Sequence, residues 1–429
     1  MKPVETTRQS ERGAVLIMVV VAMVALLAFG AFVIDYGVMW TGRGQVQTSA
    51  DAGALSGAIS LAFDSPTDFG GAQTKARAVA RANSVWGQAP DVQLADVTFP
   101  ACPPLAPGLA GTCVKVDAFR NQARGNPLPI YFGNLVGITA QGVRATATSQ
   151  IVTGNKTDCL KPWAVVDRWI EFGPEGPGML PTSTFDKYSD GKGQAPPQEA
   201  DVYTPPSAGS AGTGFTLPAD QGRRFAVKTA ATSISSGWFQ EILLPRADGH
   251  WTGGNVYREN IETCGGLAYA IAQPGIACPA SIGQAEAAAW AAQGCFGVKP
   301  GGTTGPTRQG IEFLYDQDPG ATYVPGTGIV GSSFSPPTAS PRVVAIGVMD
   351  IDDYLSRNPT GSNGTVRLVN IYGFFVEGMG DVDEVTGAMT LNQNGKAVIG
   401  RLIRITSMGT GSSPLSAASS FLVKIILVR

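Results

Sequence analysis

The longest apolar segment of the chain lies close to its beginning. From Ala14 to Ile34 no residue is charged and none is a proline, and the run ends at Asp35. As a helix this run would extend about 31 Å, which matches the hydrocarbon core of a bilayer. A core helix would show a polar face, and a secretory signal would have a shorter apolar region followed by a cleavage site. We therefore expect a retained transmembrane helix over residues 13–35, with a cleaved signal peptide as the alternative.

The charges on either side of this run predict its orientation. Three cations precede it, whereas an acidic residue follows it and the next cation is Arg43. The preceding cations are Lys2, Arg8 and Arg12. The positive-inside rule then leaves residues 1–12 as a cytoplasmic tail and exports the rest of the chain.

Small residues recur at helical spacing just beyond the apolar run. They are Ala50, Gly53, Ala54, Gly57 and Ala58. We expect the membrane helix to continue, or to restart after the glycines at 42 and 44, and to pack through this small-residue face. The face packs either against its own domain, which the periodicity favours, or against a neighbouring subunit.

Farther along the chain the pattern changes to short apolar runs that are typical of strands. A helical patch from Thr74 and several β-like runs form a small α+β unit over residues 36–155. Residues 173–222 are rich in Pro, Gly, Ser and Asp and predict long loops, whereas residues 284–294 are helical by composition. The last ninety residues carry four β runs, which suggest an antiparallel sheet closing a β-rich exported domain over 156–429. The predicted fold class is therefore α+β.

The cysteines follow the apolar run and suggest an oxidising compartment. They are Cys102, Cys113, Cys159, Cys264, Cys278 and Cys295. An even number of exported cysteines favours disulfides, although about 15 pairings of six cysteines exist. Cys102 and Cys113 bracket a Pro/Gly-rich loop and are the pair that we expect first. Six reduced, buried thiols are the alternative.

Charge and motif content argue against nucleic-acid binding and catalysis. The net charge is −2 and 15% of the residues are charged, so no basic surface is expected. His250 is the single histidine and lies in a turn-like context. The glycines at 326, 328 and 331 spell G-x-G-x-x-G, but they lack the preceding strand and the following helix of a dinucleotide site. We expect neither an enzyme nor a cofactor.

Two acidic loops are weak candidates for calcium. Asp186 and Asp190 lie in one of them, and Asp381 and Asp383 lie in the other. The first loop places Pro197 where a calcium loop carries a bidentate glutamate, and helices are not predicted around the second. Solvated turns are therefore the favoured interpretation, and no metal is expected.

The segment RGAVLIMVVVAMVALLAFGAFVIDYG followed by GRGQVQTSADAGALSGA resembles the start of TadG-like proteins. These belong to the TadE/TadG group of Flp (tight-adherence) pilus assembly. The matching positions are Arg12, Gly13, Asp35, Arg43, Gln47, Asp51 and Leu55. The resemblance extends over residues 11–62 and, more loosely, over a pilin-like α+β unit to about residue 155. Met18 stands where type IV prepilins carry a glutamate, so the chain departs from processed fibre subunits there.

The resemblance implies a non-enzymatic protein anchored in the bacterial inner membrane, with its bulk in the periplasm or outside the cell. It would be an assembly factor or minor structural component of a Flp-type pilus or a related secretion system. Its partners would be the inner membrane and other pilus-assembly proteins or pilins, with self-association left open. The alternative is a membrane-tethered exported domain for adhesion or binding that uses this segment only as an anchor.

Overall fold

The structure is a computed structural model. It describes residues 9–64, 68–102, 112–172, 183–186, 200–217, 219–228, 234, 238–299, 303–357, 364–383, 385–408, 413–416 and 418–428. The helices are α1 (Gln9–Ile59), α2 (Phe69–Ala82), α3 (Gly254–Glu262), α4 (Gln284–Ala291), α5 (Thr304–Gln317) and α6 (Ile351–Arg357). The strands are β1 (Val97–Thr98), β2 (Thr112–Arg120), β3 (Val143–Thr153), β4 (Lys156–Thr157), β5 (Leu160–Val166), β6 (Arg224–Lys228), β7 (Phe239–Leu243), β8 (Tyr269–Ala270), β9 (Cys295–Val298), β10 (Thr322–Val324), β11 (Gly328–Val330), β12 (Val343–Met349), β13 (Thr365–Val382), β14 (Met389–Leu391), β15 (Ala397–Ile403), β16 (Ile405–Thr406) and β17 (Leu422–Val428).

Helix α1 is one uninterrupted element of 51 residues. It continues through the glycines at 42 and 44 and ends in a π-helical turn over Ser60–Asp64. At about 1.5 Å per residue it is about 77 Å long, more than twice the thickness of a bilayer core. Residues 15–30 are exposed and apolar on all sides, so this helix is long and apolar enough to cross a membrane. The prediction that the membrane helix continues is confirmed, and the alternative prediction, that it restarts after these glycines, is wrong.

The second half of α1 packs with α2 against a five-stranded sheet. The strand order of this sheet is β1-β2-β3-β17-β16. Its neighbours are antiparallel except for β16 and β17. The helices cover one face of the sheet with a core of small and β-branched residues. This is the small α+β unit that the sequence predicts, with two strands added from late in the chain.

The larger unit contains an eight-stranded sheet, five strands of which close into a ring. The ring runs β5-β7-β9-β13-β12 and returns to β5. All neighbours are antiparallel except β5 and β12. Strand β13 has 18 residues and continues beyond the ring to pair with β15 and β14, and β6 pairs with β15. The predicted α+β class with antiparallel sheets is confirmed.

Two large apolar clusters form most of the core of the larger unit. One receives side chains from all five ring strands, among them Leu160, Ile242, Phe296, Met349 and Leu368. The other lies between the strands and the helices α3 and α5. In that second cluster the Trp163 indole donates a hydrogen bond of 2.8 Å to the Tyr257 hydroxyl, so the buried polar atoms of both rings are satisfied.

Strand β17 lies in a different sheet from the one predicted. The sequence assigns the last β run to the sheet that closes the exported domain, together with the runs that form β12, β13 and β15. The structure instead pairs β17 with β3 of the first unit, from Val423 opposite Thr153 to Val428 opposite Thr148. Period-2 patterning identifies a strand but not its neighbour, because any apolar strand can complete an open edge.

A half-buried arginine of the larger unit caps the end of the long helix. Arg404 follows β15, and its guanidinium donates hydrogen bonds to the backbone carbonyls of Ala62 (3.2 Å) and Leu61 (3.5 Å). The last carbonyls of a helix have no partner within the helix and carry the negative end of its dipole. A cation from the second unit therefore stabilises the point where the first helix ends.

We expect Arg404→Met to lower the free energy of unfolding by about 1–3 kcal/mol, because it leaves two buried carbonyls without donors. Arg81→Met is the matched control, since Arg81 is exposed on α2. Denaturant unfolding of the detergent-solubilised chain measures both variants. Equal stabilities of the two variants would contradict the capping role.

Candidate functional site

The small-residue face of α1 is buried inside its own unit. Ala50, Ala54 and Ala58 are fully buried. A Cβ atom added at Gly53 would lie 2.9 Å from the Ala80 Cβ and 3.0 Å from the carbonyl oxygen of Ala76. Since real Cβ atoms do not approach so closely, only glycine allows this separation of the two helices.

The partner of this face is a matching stripe of alanines on α2. The stripe consists of Ala72, Ala76 and Ala80, all fully buried. Gly53 lies against Ala80 and Ala76, and Gly57, one turn later on α1, lies against Ala76 and Ala72, one turn earlier on α2. The two helices therefore run antiparallel. The face is therefore used within the chain, as the periodicity favours, and it is not open to a neighbouring subunit.

Hydrogen bonds to helix carbonyls fix this packing further. The buried Ser49 hydroxyl donates to the carbonyl of Ala80 at 2.8 Å. The Ser149 hydroxyl of β3 donates to the carbonyl of Ala54 at 2.6 Å. Both hydroxyls lie in a dry interface, where an unpaired polar group would be costly. They fix the register of α1 against both α2 and the sheet.

Asp35 binds the backbone of a loop that is distant in sequence. Its carboxylate accepts hydrogen bonds from the backbone N–H groups of Tyr131 (2.8 Å), Phe132 (3.0 Å) and Gly133. The loop continues into a short 3₁₀ helix, Gly133–Val136. A carboxylate that accepts three N–H donors acts as a clamp. The first charge beyond the apolar run therefore attaches this loop to the helix.

The other positions of the resemblance differ in what they contact. The Gln47 amide donates to the Asp51 carboxylate at 2.9 Å and to the carbonyl of Thr146 in β3 at 3.3 Å. Leu55 is half-buried, whereas Arg43 and Gly13 are exposed. The side chains of Arg12 and Ala14 lie outside the described part of the chain, and Ile34 is exposed at the end of the apolar run.

Three disulfides join all six cysteines. The pairs are Cys102–Cys113, Cys159–Cys264 and Cys278–Cys295. The first is the pair that the sequence favours. The second joins the start of β5 to the segment after α3, and the third ties a loop to β9. One disulfide therefore serves the first unit and two serve the larger one.

The carboxylates considered for calcium hold turns and loops. Asp381 accepts hydrogen bonds from the Asn392 amide (2.6 Å) and the backbone of Lys396 (3.3 Å). Asp383 accepts from two backbone N–H groups of its own turn. Asp186 accepts from the Thr184 hydroxyl at 3.1 Å. Asp190 lies outside the described residues, within which no group of three His, Cys, Asp or Glu side chains is placed to hold a metal.

Asp167 and Lys161 are among the ionisable side chains that are buried in the larger unit. Burial raises the pKa of the Asp167 carboxyl to about 6, against the hydrogen bonds that it accepts from Tyr372 (2.6 Å), Phe215 and Arg168. Burial lowers the pKa of the Lys161 amine to about 7, and the nearby charge of Arg246 acts in the same direction. Both groups are bound to backbone or aromatic partners, which is typical of structural polar groups.

The Lys161 amine lies beneath helix α3. It donates to the backbone carbonyls of Asn260 (3.3 Å) and Thr263 (3.4 Å), near the end of that helix. A cation at the end of a helix compensates its dipole.

The one histidine, His250, is exposed in a turn, with its Nδ1 atom 3.6 Å from the Asp248 carboxylate.

A cavity of about 560 Å³ opens beside the start of α3. Trp251, Ser281 and Lys299 are among its lining residues. The Lys299 amine is 3.2 Å from the Glu241 carboxylate, so its charge is compensated within the protein. The volume of the cavity lies in the range of small-molecule sites, but the residues that line it show no other feature of such a site.

The sequence did not indicate two of these arrangements, the clamp at Asp35 and the cap at Arg404. The sequence carries one unusual feature at the loop that Asp35 binds, since residues 125–143 contain no charged side chain. The structure shows that apolar residues of this segment are nevertheless exposed. Arg404 is one arginine among several near strand ends. Neither its burial nor its partner is encoded by local spacing.

The family model of putative Flp pilus-assembly TadE/G-like proteins matches residues 13–60. The resemblance stated above is therefore confirmed over this segment, which comprises the apolar run and the docked half of α1. The match supports a role in Flp pilus assembly. No curated protein and no solved structure matches the chain.

We expect Gly53→Ala to lower the free energy of unfolding by about 1–3 kcal/mol, because the new methyl group overlaps α2. Gly44→Ala is the matched control on the same helix, since a Cβ there meets no atom within 4 Å. That control should gain about 0.5–1 kcal/mol from higher helix propensity. Thermal unfolding followed by circular dichroism measures both, and a stabilised Gly53→Ala would contradict the close packing.

The pKa of Lys161 predicts a pH-dependent stability. The unfolded chain binds a proton at this amine up to a pH near its ordinary pKa of 10.5, whereas the folded chain releases it near 7. Stability should therefore rise with pH between about 7 and 10, by at most about 1.4 kcal/mol per pH unit from this group. In Lys161→Met this part of the slope should disappear.

Denaturant unfolding at pH 7.5, 8.5 and 9.5 measures this slope. Lys75→Met is the control, because Lys75 is exposed and pairs with Asp64 on the surface. The prediction fails if Lys161→Met keeps the slope of the unmodified chain.

Proposed function

We propose that this protein is a non-enzymatic, membrane-anchored assembly factor or minor structural component of a Flp-type pilus or a related secretion system. Its α1 helix would cross the bacterial inner membrane once, with the beginning of the chain in the cytoplasm. The α+β unit and the larger unit would then lie in the periplasm or outside the cell.

The observation that carries the proposal is the family match over residues 13–60. This segment coincides with two structural parts of α1. Residues 15–34 are apolar and uncovered by protein, with one half-buried residue at Ala31, whereas the stripe from Ala50 to Ala58 is fully covered by it. The matched segment is thus a span joined rigidly to a docking helix, which suits an anchor that holds an exported domain at a fixed position above a membrane.

The surfaces of the anchor unit limit where pilus components would bind. The small-residue face is occupied by α2, so the proposal assigns contacts with other proteins to the exposed positions of α1 between the apolar run and that face. Trp40, Arg43 and Gly44 are exposed in this part of the helix. Arg43 belongs to the positions that match the family, and its exposure supports a role outside the chain.

A non-enzymatic role is supported by what holds the buried ionisable groups. Asp167 is bound by Tyr372 and by backbone N–H groups, and Lys161 is bound by helix carbonyls. A general base requires a free path to substrate, and neither group is exposed.

Gene deletion and complementation in the source organism test the proposal. We expect the deletion strain to lose its Flp pili in electron micrographs and to regain them with the intact gene. Arg43→Glu should restore fewer pili, whereas Thr48→Glu, a change at an exposed position of the same helix, serves as the control. Normal pilus number in the deletion strain would contradict the proposal.

Reporter fusions test the membrane arrangement separately. Alkaline phosphatase fused after residue 64 should be active, because the enzyme folds only after export. The same fusion after residue 12 should be inactive. Inactive enzyme in the first fusion would contradict the exported location.

A further inference from the structure

The loop that Asp35 binds exposes a group of apolar side chains. We call residues 129–138 the interfacial loop. Leu135 is 83% exposed, Tyr131 58% and Ile138 51%. Single exposed apolar residues are common on protein surfaces, but a cluster of them marks an interaction surface.

The stretch of sequence that contains this loop carries no charged side chain. Residues 125–143 contain no Asp, Glu, Lys or Arg, although 15% of all residues in the chain are charged. Protein surfaces that face water usually interleave charged side chains with apolar ones. A long uncharged surface with exposed leucine, isoleucine and tyrosine is instead typical of a region that meets lipid.

The position of the loop along α1 is fixed by the clamp. Asp35 is the first charged residue after the apolar run, and it accepts hydrogen bonds from the loop backbone. Ala31 lies on the same face one turn earlier, about 6 Å along the axis. It is half-buried, whereas its neighbours Phe32 and Val33 are exposed. Shielding of this face therefore begins within the apolar run itself.

Aromatic side chains on the helix lie at the same level. Tyr36 and Trp40 are exposed just beyond Asp35. Tyrosine and tryptophan concentrate where the hydrocarbon core meets the headgroups, because their rings are apolar and their polar tips reach water. Tyr131, whose backbone N–H binds Asp35, adds an exposed ring from the loop.

We infer that the interfacial loop inserts into the exported surface of the bilayer that α1 crosses, as a second membrane contact beside the helix. This inference rests on the proposed membrane anchoring. Its occupant is the lipid surface and not another protein, because the loop is held at the end of the apolar run and is continuous with it. Two contacts would restrict the tilt and rotation of α1, which a single helix leaves free.

Site-directed spin labelling tests the inference on the full chain. All six cysteines are paired in disulfides, so an introduced cysteine provides a unique thiol. The test variant is Leu135→Cys, reconstituted at one chain per nanodisc of phosphatidylethanolamine and phosphatidylglycerol. The readout is the ratio of nitroxide accessibility to oxygen, which enters lipid, and to a water-soluble nickel chelate.

Two further labels serve as references. Val385→Cys is the matched aqueous control, because Val385 is also 83% exposed and lies in the β13–β14 turn of the larger unit. Val24→Cys reports the apolar run. We expect the ratio at 135 to exceed that at 385 several-fold and to approach that at 24.

The outcomes separate this inference from the proposed anchoring. A high ratio at 24 with equal ratios at 135 and 385 would overturn the inference and leave the anchor intact. Low ratios at all three positions would overturn both. Shielding at 135 that appears only when discs hold two chains would assign the loop to a second copy and would also overturn the inference.

The clamp is tested in the same background. Asp35→Ala combined with Leu135→Cys should reduce the ratio toward that of the aqueous control, because the loop loses its three hydrogen bonds to the helix. Asp64→Ala, which removes an exposed carboxylate at the other end of the unit, should leave the ratio unchanged. An unchanged ratio in the Asp35→Ala variant would overturn the positioning role of Asp35.

Discussion

The close approach of α1 to α2 is the constraint on which the rest of the structure depends. Glycines on one helix face alanines on the other, so no side chain beyond a methyl group separates the two backbones. Packing at this distance is tight, so the two helices can adopt only one position relative to each other. Because the same helix continues into the apolar run, its orientation on the sheet also determines the direction in which the apolar run leaves the folded units.

Backbone groups that regular secondary structure leaves unpaired are used repeatedly to join distant segments. Asp35 receives N–H groups from a loop 96 to 98 residues away, and Arg404 donates to carbonyls 342 and 343 residues before it. Each contact lies at one end of the part of α1 that follows the apolar run. A charged side chain is suited to both tasks, because it satisfies several backbone groups at once.

The sequence was sufficient for features that depend on local pattern. An apolar run of bilayer length, a small-residue stripe and two cysteines around one loop are each visible within a few dozen residues. The structure agrees on the helix, on the face that packs and on Cys102–Cys113. Local pattern failed where a choice of neighbour was required. An apolar strand such as β17 suits either sheet, and nothing near Arg404 shows that it will be buried against a helix end.

The place of β17 also determines when the first unit can be completed. Its partner β3 precedes it by about 270 residues, a contact of very high sequence separation. As the chain leaves the ribosome, β3 becomes available long before β17. The edge of β3 therefore stays open until the larger unit has emerged, and an open edge invites pairing with other chains. A protein of this topology keeps this sheet unfinished during synthesis and closes it as one of the last steps of folding.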